Sequence, residues 1–170
     1  TGDNLASSVA LDVLSPGGFA ASLGSSHTLF ATTPSTRRDP DGCGSVLPLP
    51  EGKALGITVL RNGALTLNHM LASLGVGVQQ LDDILTRTIP GNSGLLMLPF
   101  AYPEIAPRLN PLGLRMTGAL VDPTPEALVR GLVEAQVIRL RVHGGWLGKP
   151  ARLGLTGGSS RSSAYAQIVS

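Results

Sequence analysis

Two apolar, β-prone runs, Phe19 to Leu23 and Thr28 to Thr32, stand on either side of Gly24-Ser25-Ser26-His27. Glycine and serine between two such runs read as the loop of a hairpin, so the sheet starts antiparallel. Beyond the hairpin, strands and helices alternate. A loop rich in Pro, Gly and charge covers 34–50, and Ala54 to Leu60 is a third strand. Asn62-Gly63 turns into a helix through Leu65, Leu67, Met70, Leu71 and Leu74, with a weaker helix at Gln79 to Thr88. Leu95 to Leu98 is a short buried strand. Residues 99–116 read as irregular, with Thr117 to Val121 a strand.

Thr124 and Pro125 are a good N-cap and first residue for a long helix, which Gly144-Gly145 ends. Its expected apolar stripe is Leu128, Leu132, Ala135, Ile138 and Val142, with Arg130 and Glu134 one turn apart on the surface. Arg152 to Leu155 is a strand, Thr156-Gly157-Gly158 a turn, and Ser162 to Val169 a final helix. A further helix is expected at Asn4 to Val13, capped by Asp3 or Gly2. An antiparallel start followed by alternation describes an α/β domain with a mixed sheet.

Composition narrows the function. The 170 residues fit one domain. Charged residues are 14%, against about 25% in an average soluble domain, which points to surface covered by something else or to a small domain of low charge. A net charge of +2 without a basic stripe argues against nucleic acid. Arg139, Arg141, His143, Lys149 and Arg152 flank a helix end and a turn, where cations meet carbonyl partial charges. A single cysteine, Cys43, fits a reducing compartment. No apolar run reaches the roughly 18 residues a membrane span needs, and there is no signal peptide, so the expected location is the cytoplasm.

Three segments carry candidate chemistry. Gly24-Ser25-Ser26-His27-Thr28 sets a glycine and three hydroxyls in a hairpin turn, where backbone N–H groups converge on an anion; the same residues are also default hairpin residues. Thr156-Gly157-Gly158-Ser159-Ser160 lies between a strand and a helix, where glycine lets a ligand approach the backbone, or simply makes a turn. It is neither the dinucleotide fingerprint nor a P-loop. Asp3, in Thr1-Gly2-Asp3-Asn4, is a general base, a metal ligand or a helix cap. A hydrolase built from Ser25 or Ser26, His27 and Asp3 lacks the Gly-x-Ser-x-Gly elbow. His27, His69 and His143 have no metal-ligand spacing.

In this order the segments resemble the C-terminal domain of the FGGY carbohydrate kinases, and most closely its eukaryotic-type xylulose kinases. Thr1-Gly2-Asp3-Asn4 resembles the catalytic segment, and Ser22 to Phe30 the phosphate-binding hairpin. Asn62-Gly63-Ala64-Leu65 resembles an Asn-Gly-Ser-Leu turn, and Glu104-Ile105-Ala106-Pro107 the family's Glu-Ile-Thr-Pro. Arg130 to Gln136 resembles the segment Arg-Ala-x-x-Glu-Gly-Gln, and Thr156 to Ser160 the adenosine-binding turn. Nearly the whole chain is covered.

The resemblance implies a ribonuclease H-like, actin-like ATPase fold, with residues 1–170 the nucleotide-binding domain. A partner domain on the N-terminal side and a last strand and helix would be missing. It implies transfer of the ATP γ-phosphate, with Mg²⁺, to D-xylulose or a related ketose. Asp3 would be the base and Asn4 a sugar contact. Gly24, Ser25 and Ser26 would meet the phosphates, and Gly157, Gly158 and Ser162 the adenosine. His27 stands where the family usually has Asp, a change expected to alter charge near the phosphates. Gln79 and Gln80 stand near an expected aromatic nucleotide contact. A kinase for another sugar or polyol (ribulose, glycerol), a non-catalytic relative on the same fold, and an unrelated α/β domain are the alternatives.

Overall fold

The computed structural model describes residues 11, 13–15, 17–118 and 122–170. Asp3, Asn4 and most of the helix expected at Asn4 to Val13 lie outside the described residues, as does much of the strand expected at Thr117 to Val121.

Five strands make the main sheet: β1 (Gly18–Leu23), β2 (His27–Pro34), β3 (Ser45–Pro48), β4 (Lys53–Leu60) and β7 (Arg152–Thr156), in the order β3-β4-β2-β1-β7. The first four pair antiparallel, as the hairpin and short loops require, while β7 joins β1 in parallel. The sheet is therefore mixed. Strand β3 lies inside the expected loop at 34–50. Val46 and Leu47 pair with Gly56 and Leu55 at the sheet edge, where a neighbouring strand supplies the order that Pro- and Gly-rich composition hides. A separate hairpin joins β5 (Leu96–Phe100) to β6 (Gly113–Thr117). Four of the five β6 residues fall in the stretch expected to be irregular, and their order comes from pairing with β5.

The period-2 alternation of β1 decides which face takes the helices. Ala21 and Leu23 belong to the large core with Leu60, Leu67, Leu71, Ile84, Leu132 and Tyr165, whereas Ala20 faces a smaller core with Val13, Phe30 and Leu55. The large core is closed by α1 (Ala64–Ser73), α2 (Leu81–Arg87), α3 (Pro125–Gly144) and α4 (Ser163–Val169). A fully buried leucine of this kind contributes about 1.5–3 kcal/mol.

The long helix α3 starts as expected. Thr124 Oγ1 accepts the Ala127 N–H at 3.3 Å, and Pro125 opens the helix. Its buried face differs from the expected stripe. Val129, Leu132, Val133, Gln136 and Leu140 are buried, while Ile138 and Val142 are 53% and 65% exposed. Arg130 and Glu134 are not on the surface either. The Arg130 Nε donates to Glu134 Oε1 at 2.6 Å, and its Nη1 donates to the Leu85 and Thr88 carbonyls at 3.1 and 3.4 Å. Glu134 also accepts the Gly91 N–H. The pair is drawn inward because the C-terminal end of α2 has carbonyls without helical partners, and a guanidinium carries enough donors to meet them.

Removing one member of this buried pair strands the other charge. Arg130→Ala should lower the unfolding free energy in a urea melt by about 3 kcal/mol. The double change Arg130→Met with Glu134→Leu should lose much less, because no buried charge is left alone.

Candidate nucleotide site

The parallel pairing of β1 with β7 sets Ser22 beside Thr156. The segments leaving the two strands, 24–26 and 157–158, therefore emerge side by side at the carboxyl ends of adjacent parallel strands. That is where open α/β sheets take their ligands. Gly157 has φ +92°, and a Cβ there would stand 2.7 Å from the Leu23 carbonyl carbon and 2.8 Å from its oxygen. Only glycine fits, and it seats the second turn against the last residue of β1, directly before the first turn. Ser25, Gly157 and Gly158 are exposed, and Gly24 and Ser26 half-buried.

The hairpin turn is held from below. The Gly24 and Ser25 carbonyls accept the Ala64 and Leu65 N–H groups at 3.0 and 3.2 Å, so the first turn of α1 is capped by the hairpin. The donors left to the turn are its own N–H groups and two hydroxyls, the set an anion needs. Gly63 lies at this junction: a Cβ would stand 2.8 Å from the His27 backbone nitrogen and 2.9 Å from the Ser25 oxygen.

A buried polar network fixes the start of α1. Glu104 accepts the Arg61 N–H at 2.6 Å, the Asn62 N–H at 3.3 Å, Asn62 Nδ2 at 2.9 Å and the Ile105 N–H at 2.7 Å. Arg139 Nη2 reaches it at 2.6 Å. Burial pushes the Glu104 pKa up, but the Asn62 and backbone hydrogen bonds and the guanidinium outweigh it and leave the carboxyl below its ordinary value. Gln136 Nε2 donates to the Asn62 and Gly63 carbonyls, and its Oε1 accepts the Tyr165 hydroxyl. Arg139, read from the sequence as one of several cations flanking a helix end and a turn, is 7% exposed and stacked 4.6 Å over Phe100. Asn62-Gly63, Glu104-Ile105 and Gln136, the last residue of the 130–136 segment, are thus parts of one support. Their wording was visible in the sequence, but their joint role was not.

Ser162 is the N-cap of α4. Its hydroxyl accepts the Tyr165 N–H at 3.0 Å and donates to Asp82 Oδ1 at 2.7 Å. Asp82 is a site neighbour that sequence reasoning missed, since a carboxylate in a first helical turn is ordinary.

His27 corrects an expectation. It was expected to change the charge near the phosphates, yet it lies beneath the hairpin at 0% exposure, edge-on to Tyr165. Neither ring nitrogen has a hydrogen-bond partner among the described residues, which also leaves it unlinked to Ser25 or Ser26. Burial, helped by Arg139 and opposed by Glu104, lowers its pKa from 6.5 to about 4. The imidazole is neutral at pH 7 because its charged form would lose hydration without gaining a partner.

Below the ordinary 6.5 of His27 the unfolded chain takes up a proton that the folded chain refuses until about 4. Stability falls with pH across that window, by about 3 kcal/mol in full. His27→Leu should flatten this part of the curve of urea midpoint against pH. An unchanged slope would mean other groups carry it.

No family model matches the chain. It is 29% identical over 205 residues to a probable D-xylulose kinase A of Aspergillus fumigatus, an alignment covering 99% of this chain and 35% of that protein. The chain thus spans about a third of the length of the curated relatives it matches. Among solved structures, a ligand-bound xylulose kinase from Lactobacillus acidophilus superposes with a TM-score of 0.88 at 20% identity, covering 98% of this chain and 36% of that one. A xylulose kinase from Bifidobacterium adolescentis gives 0.84 at 25% identity, covering 98% and 34%. The homologues of this chain are xylulose kinases, and its mixed sheet and helices form the actin-like ATPase fold of the FGGY carbohydrate kinases.

Proposed function

We propose that this chain is the nucleotide-binding part of an ATP-dependent sugar kinase that converts D-xylulose to D-xylulose 5-phosphate. The observation that carries the reading is that the two glycine turns, 24–26 and 157–158, leave the carboxyl ends of parallel β1 and β7 side by side, with Gly157 packed on the backbone of Leu23 directly before the first turn. One turn has N–H and hydroxyl donors suited to phosphates. The other has an exposed backbone with no side chain at two successive positions, suited to the flat adenosine.

Phosphoryl transfer asks mainly for positioning and charge stabilisation. The rigid turn at 24–26 holds the phosphate chain while its donors meet the developing charge. Mg²⁺ would arrive on the ATP phosphates and neutralise them, since it is usually held by phosphates with one or two carboxylates. Among the described residues no group of three carboxylate, histidine or cysteine side chains is placed to hold a metal. The resemblance gives Asp3 the role of base, taking the proton of the attacking sugar hydroxyl, and Asn4 that of a sugar contact. Both lie outside the described residues. The sugar contacts and the remainder of the cleft would come from a partner domain. No described helix is long and apolar enough to cross a membrane, and a cytoplasmic site of action goes with the reading.

Calorimetry of the 170-residue chain with Mg-ADP should show binding, and Gly157→Ala should weaken it roughly tenfold or more by forcing the turn off Leu23. No heat from folded wild-type chain would count against the reading. In the longer polypeptide matching the relatives' length, Asp3→Ala should cut xylulose phosphorylation by about 10²–10⁴ while leaving ATP binding intact. Normal turnover by that variant would refute the base assignment. The same polypeptide assayed on a panel of ketoses and polyols decides the sugar.

A further inference from the structure

Asp82 lies in the first turn of α2, yet its carboxylate serves a different helix. Oδ1 accepts the Ser162 hydroxyl at 2.7 Å and the Ala164 N–H at 2.9 Å, and the Ser163 hydroxyl lies 3.4 and 3.3 Å from its two oxygens. These bonds, led by the Ala164 N–H and the Ser162 hydroxyl, hold the carboxyl below its ordinary pKa. The helix it caps, α4, has seven residues, too few to be stable alone.

The chain reaches α4 directly from the candidate adenosine turn. Gly157 is followed by a 3-10 turn at Gly158–Arg161, in which Ser160 Oγ donates to the Gly157 carbonyl at 2.7 Å and the Ser162 N–H to the Ser159 carbonyl at 3.2 Å. The segment 157–164 is therefore anchored at both ends. Gly157 rests on the Leu23 backbone at the sheet side, and Ser162 to Ala164 are tied to Asp82 on the helix side. The distance between the glycine backbone and the hairpin at 24–26 depends on both anchors, because nothing in the four-residue turn between them is buried.

We propose that Asp82 is a positioning residue of the nucleotide site: by clamping Ser162–Ala164 to α2 it sets the pose of the Gly157-Gly158 turn and so governs affinity for a nucleoside diphosphate. The inference rests on the nucleotide reading of this site. It also fixes what Ser162 has to offer. Its hydrogen goes to Asp82 and one lone pair to the Tyr165 N–H, so toward a ligand Ser162 acts as an acceptor only.

The test titrates ADP into the 170-residue chain by calorimetry, with thermal melts run beside it. Asp82→Ala removes the clamp and should weaken ADP roughly tenfold or more, the scale of lost hydrogen bonds to a charged group. Asp82→Asn keeps an acceptor oxygen at the same reach and should restore affinity to within about threefold. Asp82→Glu keeps the charge but adds a methylene, which misplaces the oxygens, and should bind as weakly as alanine. If the alanine chain fails to fold, the contrast between asparagine and glutamate carries the test. Wild-type affinity in both the alanine and glutamate variants overturns the role of Asp82 alone. So does affinity in the asparagine variant that falls only in step with its melting temperature. A wild-type chain that takes up no ADP overturns the nucleotide reading, and Asp82 with it.

Discussion

The Glu104 carboxylate is the interaction on which the candidate site depends. A buried carboxylate is costly unless its lone pairs are met. Here three backbone N–H groups, an amide and a guanidinium meet them. The consequence travels along the chain. Fixing Arg61 and Asn62 fixes Gly63, which opens α1, whose first N–H groups hold the carbonyls of Gly24 and Ser25. The exposed turn proposed to meet phosphates is thus held from below by a carboxylate, Glu104, that is far away in the sequence, buried and paired.

Helix α3 explains why such a polar support sits inside a small domain. It contributes Arg130, Gln136 and Arg139, each pointing into the protein and each bonded to a loop or helix end. Between them Val129, Leu132, Val133 and Leu140 fill the large core. The helix therefore has a buried face that is part apolar and part donor. The apolar part is anchored to the sheet by dispersion and burial, and the donor part orders the connections around it. Its opposite side carries Ile138 and Val142 in the open, and the β5–β6 hairpin exposes Leu96, Leu98, Leu114 and Met116. This is the structural face of the low charge content, in a chain that spans a third of its relatives' length.

Much of this was legible in order rather than in detail. The hairpin, the strand at 54–60, the Thr124-Pro125 helix start and the two glycine turns follow from local chemistry, and the structure has them within a residue or two. Strands β3 and β6 were not legible, because neither has local β preference strong enough to declare itself and each is ordered by its partner. The stripe of α3 was misread for a related reason. Counting apolar residues ranks Ile138 and Val142 with the core and sends Arg130 outward, but a charged side chain with three oxygen partners on the protein side goes inward regardless of its hydropathy. His27 shows the same limit: a polar residue beside serines looks like a site residue until the sheet register places it under the turn, against Tyr165.

By itself the sequence determined most of the element types, the mixed α/β class and the places where backbone is left bare. These are local properties, set by β preference, caps and the absence of a Cβ. Only the tertiary structure decided that the bare places lie side by side. Gly24 and Gly157 are 133 positions apart, and they become neighbours because β7 returns parallel to β1 in a register that sets Thr156 beside Ser22. It likewise decided that Asp82 belongs to the second turn and Glu104 to the first. Long-range pairing of a carboxylate with distant N–H groups leaves no periodic mark in a sequence.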